Sequence, residues 1–109
     1  MSTRPFLVNG DWRTGADTFE VTSPYDGSVV GRVAYGGGDD ARRAIDAAEQ
    51  AMQTPLPAHR RAAILDGVAD LLRERREEFA RTIALEAGKP LTTAQAEVDR
   101  AVQTITGPL

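Results

Sequence analysis

The stretch EAGKPLTTAQAEV, residues 86 to 98, contains a clear break in the second half of the chain. Gly88 stands where a helix commonly ends in a left-handed residue, and Lys89 can interact favourably with the negative end of that helix. Pro90 cannot continue the hydrogen-bond ladder, because it has no backbone N–H. The stretch therefore predicts that one helix ends at Gly88 and that another begins near Leu91.

Apolar residues recur every three or four positions between residues 39 and 105, which is the spacing of amphipathic helices. The pattern is interrupted by Thr54-Pro55-Leu56-Pro57 and resumes in a second helix that contains residues 64–72. A third helix begins at about Glu77, so the pattern predicts four helices in all. Asp39 or Asp40 can cap the first helix, and Gly107-Pro108 ends the last. The predicted apolar stripes are Ala41, Ala44, Ile45, Ala48, Ala51 and Met52; Ile64, Leu65, Val68, Leu71 and Leu72; Phe79, Ile83 and Ala84; and Leu91, Ala94, Val98, Ala101, Val102 and Ile105.

The first 35 residues follow a different pattern, in which short β-prone runs are separated by turn residues. Asn9-Gly10-Asp11 favours one tight hairpin turn, and Ser23-Pro24-Tyr25-Asp26-Gly27 favours a second. The strands predicted around these turns are residues 6–8 with 12–13, and residues 19–22 with 28–33. Two short β-hairpins followed by about four amphipathic helices predict an α+β chain, with hairpins in residues 1–35 and helices in residues 39–105.

Composition narrows the classes of function. Thirteen basic and 16 acidic residues give a net charge of −3, and the two signs are interspersed, so we expect no nucleic-acid partner. The chain contains no cysteine, which excludes disulfides, thiolate metal ligands and a thiol nucleophile within these residues. The N-terminal residues contain no long apolar run, so we expect no signal peptide, no membrane span and a cytoplasmic location. Within the charged run of residues 73–78, Glu77 can pair with Arg81 one turn later.

Two glycine motifs have features of a phosphate site. Gly88-Lys89 does not form a nucleotide-phosphate loop, because Ile83 and Pro90 stand where that motif requires a glycine and a Ser or Thr. Gly36-Gly37-Gly38 precedes a helix and could present backbone amides to an anion, but Asp39-Asp40 would repel that anion. Neither motif predicts a phosphate site.

Acid–base candidates are equally few. His59 is the only histidine, and its place at the start of a helix favours a surface or capping role. Glu86 and Glu97 could act as a general acid/base pair, but the break at residues 88–90 leaves their distance undetermined. The residues by themselves therefore indicate no active site.

Five motifs, in their order and spacing, resemble the N-terminal region of the aldehyde dehydrogenase superfamily. The resemblance covers nearly the whole chain and stops at about Ile105, where Thr106 to Leu109 depart from it, so it leads us to expect a truncated product. The motifs are Val8-Asn9-Gly10-Asp11-Trp12, residues 23–31, residues 39–48, Arg61-Ala62-Ala63-Ile64-Leu65 and Glu86-Ala87-Gly88-Lys89-Pro90.

This resemblance implies an α/β parent enzyme that oxidises an aldehyde to a carboxylic acid with NAD or NADP. Residues 1–109 would be an incomplete N-terminal segment of its cofactor-binding, Rossmann-like domain. In the family the catalytic cysteine, the glutamate base and the cofactor contacts lie downstream. The resemblance therefore implies no catalytic or cofactor-binding residue here, and we expect no cofactor to bind this chain alone.

One site does map onto this sequence through the resemblance. Some family members hold a structural monovalent cation with backbone oxygens before the second hairpin turn and an acidic side chain before the Gly-Lys-Pro. The corresponding residues are Val21, Thr22 and Glu86. Oxygen ligands suit such an ion.

Two hypotheses follow. In the first, the chain is the N-terminal scaffold of the dehydrogenase, inactive alone, and its partner is the remainder of an enzyme that is itself a homo-oligomer. In the second, it is a stand-alone, non-catalytic helical interaction module that self-associates or binds a full-length relative. Both predict exposed apolar helix faces in the isolated chain, because one thin core cannot cover every stripe.

Overall fold

The computed structural model describes residues 2–107, so the predicted helix terminator Pro108 lies outside the described residues, as does Leu109. The chain divides into two compact units, Met1–Pro55 and Leu56–Leu109. The first unit is a mixture of strands with one helix, and the second is entirely helical. The predicted order of hairpins followed by four helices is confirmed.

Five strands and a helix build the first unit: β1 (Thr3–Arg4), β2 (Phe6–Val8), β3 (Asp11–Arg13), β4 (Asp17–Thr22), β5 (Val29–Tyr35) and α1 (Gly38–Ala51). Strands β2 and β3 form a two-stranded antiparallel sheet. The other three form a sheet in the order β1-β5-β4, in which β4 and β5 are antiparallel and β1 runs parallel to β5. Both predicted hairpins are present, whereas the two-residue β1 was not predicted.

The first hairpin turn shows the expected backbone. Asn9 and Gly10 have φ values of 51° and 80°. Two consecutive positive φ values are the requirement of the two-residue turn that matches the twist of antiparallel strands. Asp11, which was assigned to the turn, is the first residue of β3 instead, because a two-residue turn already closes the hairpin.

The start of α1 differs from the prediction. The N-cap is Gly37, and Asp39 and Asp40 both lie inside the first turn. Asp40 nevertheless accepts a hydrogen bond from the Gly37 N–H at 3.1 Å, and its carboxylate lies 3.4 Å from Nε of Arg13 in β3. The carboxylate at the third helical position thus ties the helix start to the first hairpin.

Three helices form the second unit: α2 (Ala58–Glu74), α3 (Arg76–Ala87) and α4 (Leu91–Thr106). Helix α4 contacts both α2 and α3 extensively. Gly88 and Gly107 follow α3 and α4 in the left-handed conformation, with φ values of 66° and 60°. The predicted helix ends at both glycines are confirmed.

Small side chains form the core of the second unit. Ala80 of α3 and Ala94 and Val98 of α4 form a buried cluster, with Ile83 and Ala84 packed against it. Ala69 is the residue of α2 that is buried, and Val102 is buried on α4. Small residues allow the helix backbones to approach closely, so this core is thin and depends on close fit.

Most of the stripes predicted for α1 and α2 are uncovered. Ile45, Met52, Ile64, Leu65, Val68 and Leu71 are all exposed. In α2 the side that faces the core is centred on Ala69, which was not assigned to the stripe. The expectation of exposed apolar faces is therefore consistent with the structure of this chain.

An ion-pair network joins α3 to α4 in place of the predicted pair of Glu77 with Arg81. Arg76 donates two hydrogen bonds to Asp99, from Nε at 2.7 Å and from Nη2 at 3.0 Å. Its Nη1 donates to Glu77 at 3.0 Å, and the Gln95 amide also donates to Glu77, at 3.2 Å. Glu77 points towards α4 because Arg76 and Gln95 satisfy its carboxylate there.

We predict that the Asp99 pair makes the second unit more stable at neutral pH than in acid. The hydrogen bonds from Arg76 lower the pKa of Asp99 from its ordinary value of 3.8. Because the folded-state pKa is the lower one, the contribution is present above about pH 3.8 and is lost as pH falls through the folded-state value. Thermal midpoints of the wild type and Asp99→Asn should differ at pH 7 and converge in acid. A difference that does not change with pH would contradict this assignment.

Candidate functional site

Val21 and Thr22, predicted to offer backbone oxygens to a cation, are the last two residues of β4. Val21 pairs with Gly31, and Thr22 pairs with Val29, so the register shifts between them and Val30 of β5 is the extra residue. Such a bulge leaves the extra residue unpaired and interrupts the regular ladder. The predicted ligand positions therefore lie at an irregular end of the hairpin.

The turn that follows them is built by its own side chains. The Ser23 carbonyl accepts from the Gly27 N–H at 2.8 Å, and the Ser23 hydroxyl accepts from the Tyr25 N–H at 3.2 Å. The Ser28 hydroxyl and N–H both donate to Asp26, at 2.7 and 3.0 Å, and these hydrogen bonds lower the pKa of Asp26. Gly27 has a φ of 74°, in the left-handed region that glycine adopts readily. These hydrogen bonds and the Gly27 backbone explain the residues of the turn by their part in closing it.

Glu86, the third predicted ligand, lies in the last turn of α3 and is exposed. Val21 and Thr22 belong to the first compact unit and Glu86 to the second. Within residues 2–107, no group of three or more His, Cys, Asp or Glu side chains could hold a metal ion. A site made of backbone oxygens with one carboxylate is of a different kind, so the cation site stays a prediction from the resemblance.

Lys89 and Glu97 have a structural explanation. The Lys89 ammonium pairs with the Glu97 carboxylate of α4, rather than only with the end of α3 as predicted. The pair closes the connection between α3 and α4 and engages the carboxylate that was considered as an acid–base partner of Glu86. His59 is exposed in the first turn of α2, whose N-cap is Pro57, so of its two predicted roles the structure supports the surface one.

The glycine-rich start of α1 was the other candidate for an anion. An open depression of about 580 Å³ lies beside it, and Arg13, Arg43, Asp39 and Asp40 are among its lining residues. Two arginines and two aspartates leave the lining without a net charge, and the Asp40 carboxylate already accepts from the Gly37 N–H. The Gly37 amide is therefore engaged by a carboxylate of its own helix.

No helix within residues 2–107 has both the length and the apolar character that crossing a bilayer requires. The four helices instead carry charged residues on at least one side, as the sequence pattern indicated.

Comparison with known proteins supports the resemblance. The family model described as the aldehyde dehydrogenase family matches residues 12–107. A crystal structure of an NAD-dependent aldehyde dehydrogenase from Sinorhizobium meliloti superposes with a TM-score of 0.90 and 31% identity, over 96% of this chain and 22% of that chain. This agreement confirms the α+β arrangement of strands followed by four helices as part of a larger α/β fold.

Curated relatives give the same result. The chain is 35% identical over 98 residues to a 3-sulfolactaldehyde dehydrogenase of Priestia aryabhattai, covering 90% of this chain and 20% of that protein. It is 38% identical over 103 residues to the succinate-semialdehyde dehydrogenase [NADP(+)] GabD of Escherichia coli, covering 91% of this chain and 21% of that protein. The chain thus spans about a fifth of the length of the relatives it matches. A family match over nearly the whole chain, with the same fold, shows that this protein belongs to the aldehyde dehydrogenase family.

Proposed function

We propose that this chain is the N-terminal scaffold of an NAD(P)⁺-dependent aldehyde dehydrogenase that oxidises an aldehyde to a carboxylic acid. The observation that carries the proposal is the family match over residues 12–107 of a chain that spans only about a fifth of its relatives. Its role is structural. The chain folds as two small units, and the remainder of the enzyme covers the apolar faces that these units leave exposed. The partner is that remainder, within an enzyme that forms a homo-oligomer.

The chemistry supports a non-catalytic role for the chain alone. Covalent oxidation of an aldehyde through a thiohemiacetal requires a thiol nucleophile, and this chain has no cysteine. Relatives are named as NAD-dependent and NADP(+)-dependent enzymes. We assign the cofactor contacts, whether to NAD or NADP, to the remainder, so neither nucleotide should bind this chain by itself.

The surface area of the chain supports the need for a covering partner. The accessible surface is 8330 Å². A compact monomer of this mass exposes about 5,900 Å², and two independent compact units of half the mass expose about 7,100 Å² together. The surface of the chain therefore exceeds the surface expected for compact proteins, even when the two units are treated as separate bodies. The excess is larger than the roughly 800 Å² that one partner contributes to a standard interface.

We predict that the pure chain produces no NADH or NADPH from any aldehyde, measured by the absorbance of the reduced nicotinamide. Co-expression with the E. coli succinate-semialdehyde dehydrogenase lacking its matched N-terminal region should give a complex that oxidises succinate semialdehyde with NADP⁺. Each polypeptide alone serves as the control. Turnover by the pure chain would contradict the scaffold role, and so would failure of the two polypeptides to associate.

A second candidate is a non-catalytic module that self-associates. The exposed residues of α1 and α2 favour it, because contiguous apolar faces mark association surfaces. Sedimentation discriminates the two: a module should form one defined oligomer that also persists with the truncated E. coli protein present. If the chain is a scaffold, its self-associated form should dissociate when the truncated E. coli protein is added, and the complex of the two polypeptides should form instead.

A further inference from the structure

Three glycines of the chain directly follow an asparagine or an aspartate, in the pairs Asn9-Gly10, Asp26-Gly27 and Asp66-Gly67. In such a pair the backbone nitrogen of the glycine can attack the side-chain carbonyl carbon of the residue before it and close a succinimide ring. Glycine permits this attack best, because it has no Cβ beside the nitrogen. The ring forms only where the backbone can rotate the nitrogen towards the side chain, so the local structure decides which pair reacts.

Asn9-Gly10 forms the exposed turn between β2 and β3, and Asn9 is the only asparagine of the chain. In the described part of the chain, the Gly10 N–H donates to no other backbone group. The reason is that the central peptide of a two-residue turn lies outside the ladder. A Cβ built on Gly10 would meet no described atom within 4 Å. The attacking nitrogen and the carboxamide that it attacks are therefore both accessible.

Ring closure at this pair requires the turn to open. Asn9 has a φ of 51°, and in the left-handed conformation the next backbone nitrogen points away from the side chain. The hairpin that holds this conformation is a two-stranded sheet of three residue pairs, and such a sheet is marginally stable by itself. Leu7 and Trp12, which pair across it, are 55% and 69% exposed. Little buried apolar surface therefore opposes the opening of the turn.

The other two pairs are held more firmly. The Gly27 N–H donates to the Ser23 carbonyl at 2.8 Å, and the Asp26 carboxylate accepts two hydrogen bonds from Ser28. These bonds lower the pKa of Asp26 and keep it ionised, and an ionised carboxylate is a poor electrophile. Asp66-Gly67 lies inside α2, where the helical hydrogen bonds fix the backbone.

We propose that, of the three pairs, Asn9-Gly10 is the one that undergoes spontaneous modification, in which the Asn9 carboxamide becomes a carboxylate with water as the co-reactant. The Gly10 nitrogen loses its proton and bonds to Cγ of Asn9, and the Cγ–Nδ2 bond breaks, so that ammonia leaves with that proton. Water then opens the ring. Cleavage of the new Cγ–N bond gives aspartate, and cleavage of the original backbone C–N bond gives isoaspartate. Either product has gained one water and lost one ammonia.

Isoaspartate changes the hairpin as well as its charge. The main chain then runs through Cβ and Cγ, so the turn is longer by one backbone atom. Because the register of β2 and β3 is set by a two-residue turn, the pair of Leu7 with Trp12 should lose its alignment.

The test follows the folded chain at mildly alkaline pH by mass spectrometry and peptide mapping. Conversion at Asn9 should raise the mass by about 1 Da, and the rate should increase with pH because the attacking nitrogen must lose its proton. An isoaspartyl carboxyl methyltransferase should label the product, and converted chains should show a shifted Trp12 emission. If the folded chain keeps its mass while the chain in urea converts, the proposal is wrong. An unchanged Trp12 emission in isolated isoaspartyl chains would contradict the loss of alignment.

Asn9→Gly is the matched control, because glycine also adopts the positive φ of this turn but has no carboxamide. This variant should keep its fold and its mass. A mass gain as fast as that of the wild type would place the reaction at a glutamine and overturn the assignment to Asn9.

Asp26→Asn tests the selection between the two hairpins, since it creates a second asparagine–glycine pair. In the folded variant, position 26 should convert at least about five-fold more slowly than Asn9, because the Gly27 hydrogen bond must break first. In urea the two positions should convert at similar rates, because neither turn is then formed. Equal rates in the folded variant would overturn the claim that the first hairpin is the reactive one.

Discussion

Val98→Asp is expected to unfold the helical unit. Val98 is 3% exposed on α4, in the cluster with Ala80 and Ala94. An uncompensated charge in such a place costs about 3–5 kcal/mol, while a unit of this length has a total stability of roughly 3–8 kcal/mol. Circular dichroism should therefore show loss of most of the helix signal from residues 56–107. The strands of the first unit are a separate compact body and should keep their signal.

Thr93→Asp provides the control for this prediction, because Thr93 is exposed in the first turn of the same helix. A negative charge there is favoured by the helix dipole, so the midpoint should stay unchanged or rise slightly. The burial assignment would be contradicted if both substitutions reduced the helix signal equally, or if Val98→Asp left it intact.

Gly15→Ala is expected to be the most damaging single methyl addition in the first unit. Gly15 has a φ of 63°, and a Cβ there would lie 3.0 Å from the Tyr35 carbonyl oxygen and 3.3 Å from the Phe6 ring. The left-handed conformation costs a non-glycine residue about 1–2 kcal/mol, and crowding adds about 1–3 kcal/mol. Since the Tyr35 oxygen belongs to the backbone of β5, it cannot move aside cheaply. Denaturant unfolding monitored by the Trp12 fluorescence should show that the free energy of unfolding of the first unit is lower in Gly15→Ala than in the wild type.

Gly10→Ala separates the two causes. Gly10 also has a positive φ, 80°, but no described atom lies within 4 Å of its Cβ position. Gly10→Ala should therefore lower the free energy of unfolding only by the cost of the left-handed backbone, about 1–2 kcal/mol. Equal losses at the two glycines would show that the contact of Gly15 with Tyr35 and Phe6 contributes nothing to the stability of the unit.

Local chemistry explains why so much of the fold was predictable. Gly88 ends α3 and Asn9-Gly10 closes the first hairpin because their backbone preferences act within a few residues of sequence. The apolar spacing of α4 correctly indicated Ala94, Val98 and Val102 as buried. The family resemblance needed only the order and spacing of short motifs, which are properties of the sequence.

Contacts between distant residues were not predictable in the same way. Arg76 and Asp99 are separated by 23 positions, and Arg13 and Asp40 by 27, and no spacing rule connects them. The predicted pair of Glu77 with Arg81 followed a correct local rule. It was replaced because Gln95 of another helix and Arg76 offered the Glu77 carboxylate two donors. The cation residues Val21, Thr22 and Glu86 remain a prediction of this long-range kind.

The sequence by itself determined the breaks between the helices, the turns of both hairpins, the presence of an apolar stripe on each helix, and that no thiol chemistry can occur within this chain. Only the tertiary structure decided which side of each apolar helix is covered, so that Ala69 is buried on α2 while Ile64, Val68 and Leu71 are left outside. The reason is physical: periodicity sets the direction of side chains around one helix axis, whereas burial requires a second surface. For α2 that surface comes mainly from α4, with a smaller contact from α3, and the side of α2 that it covers is centred on the small residue Ala69.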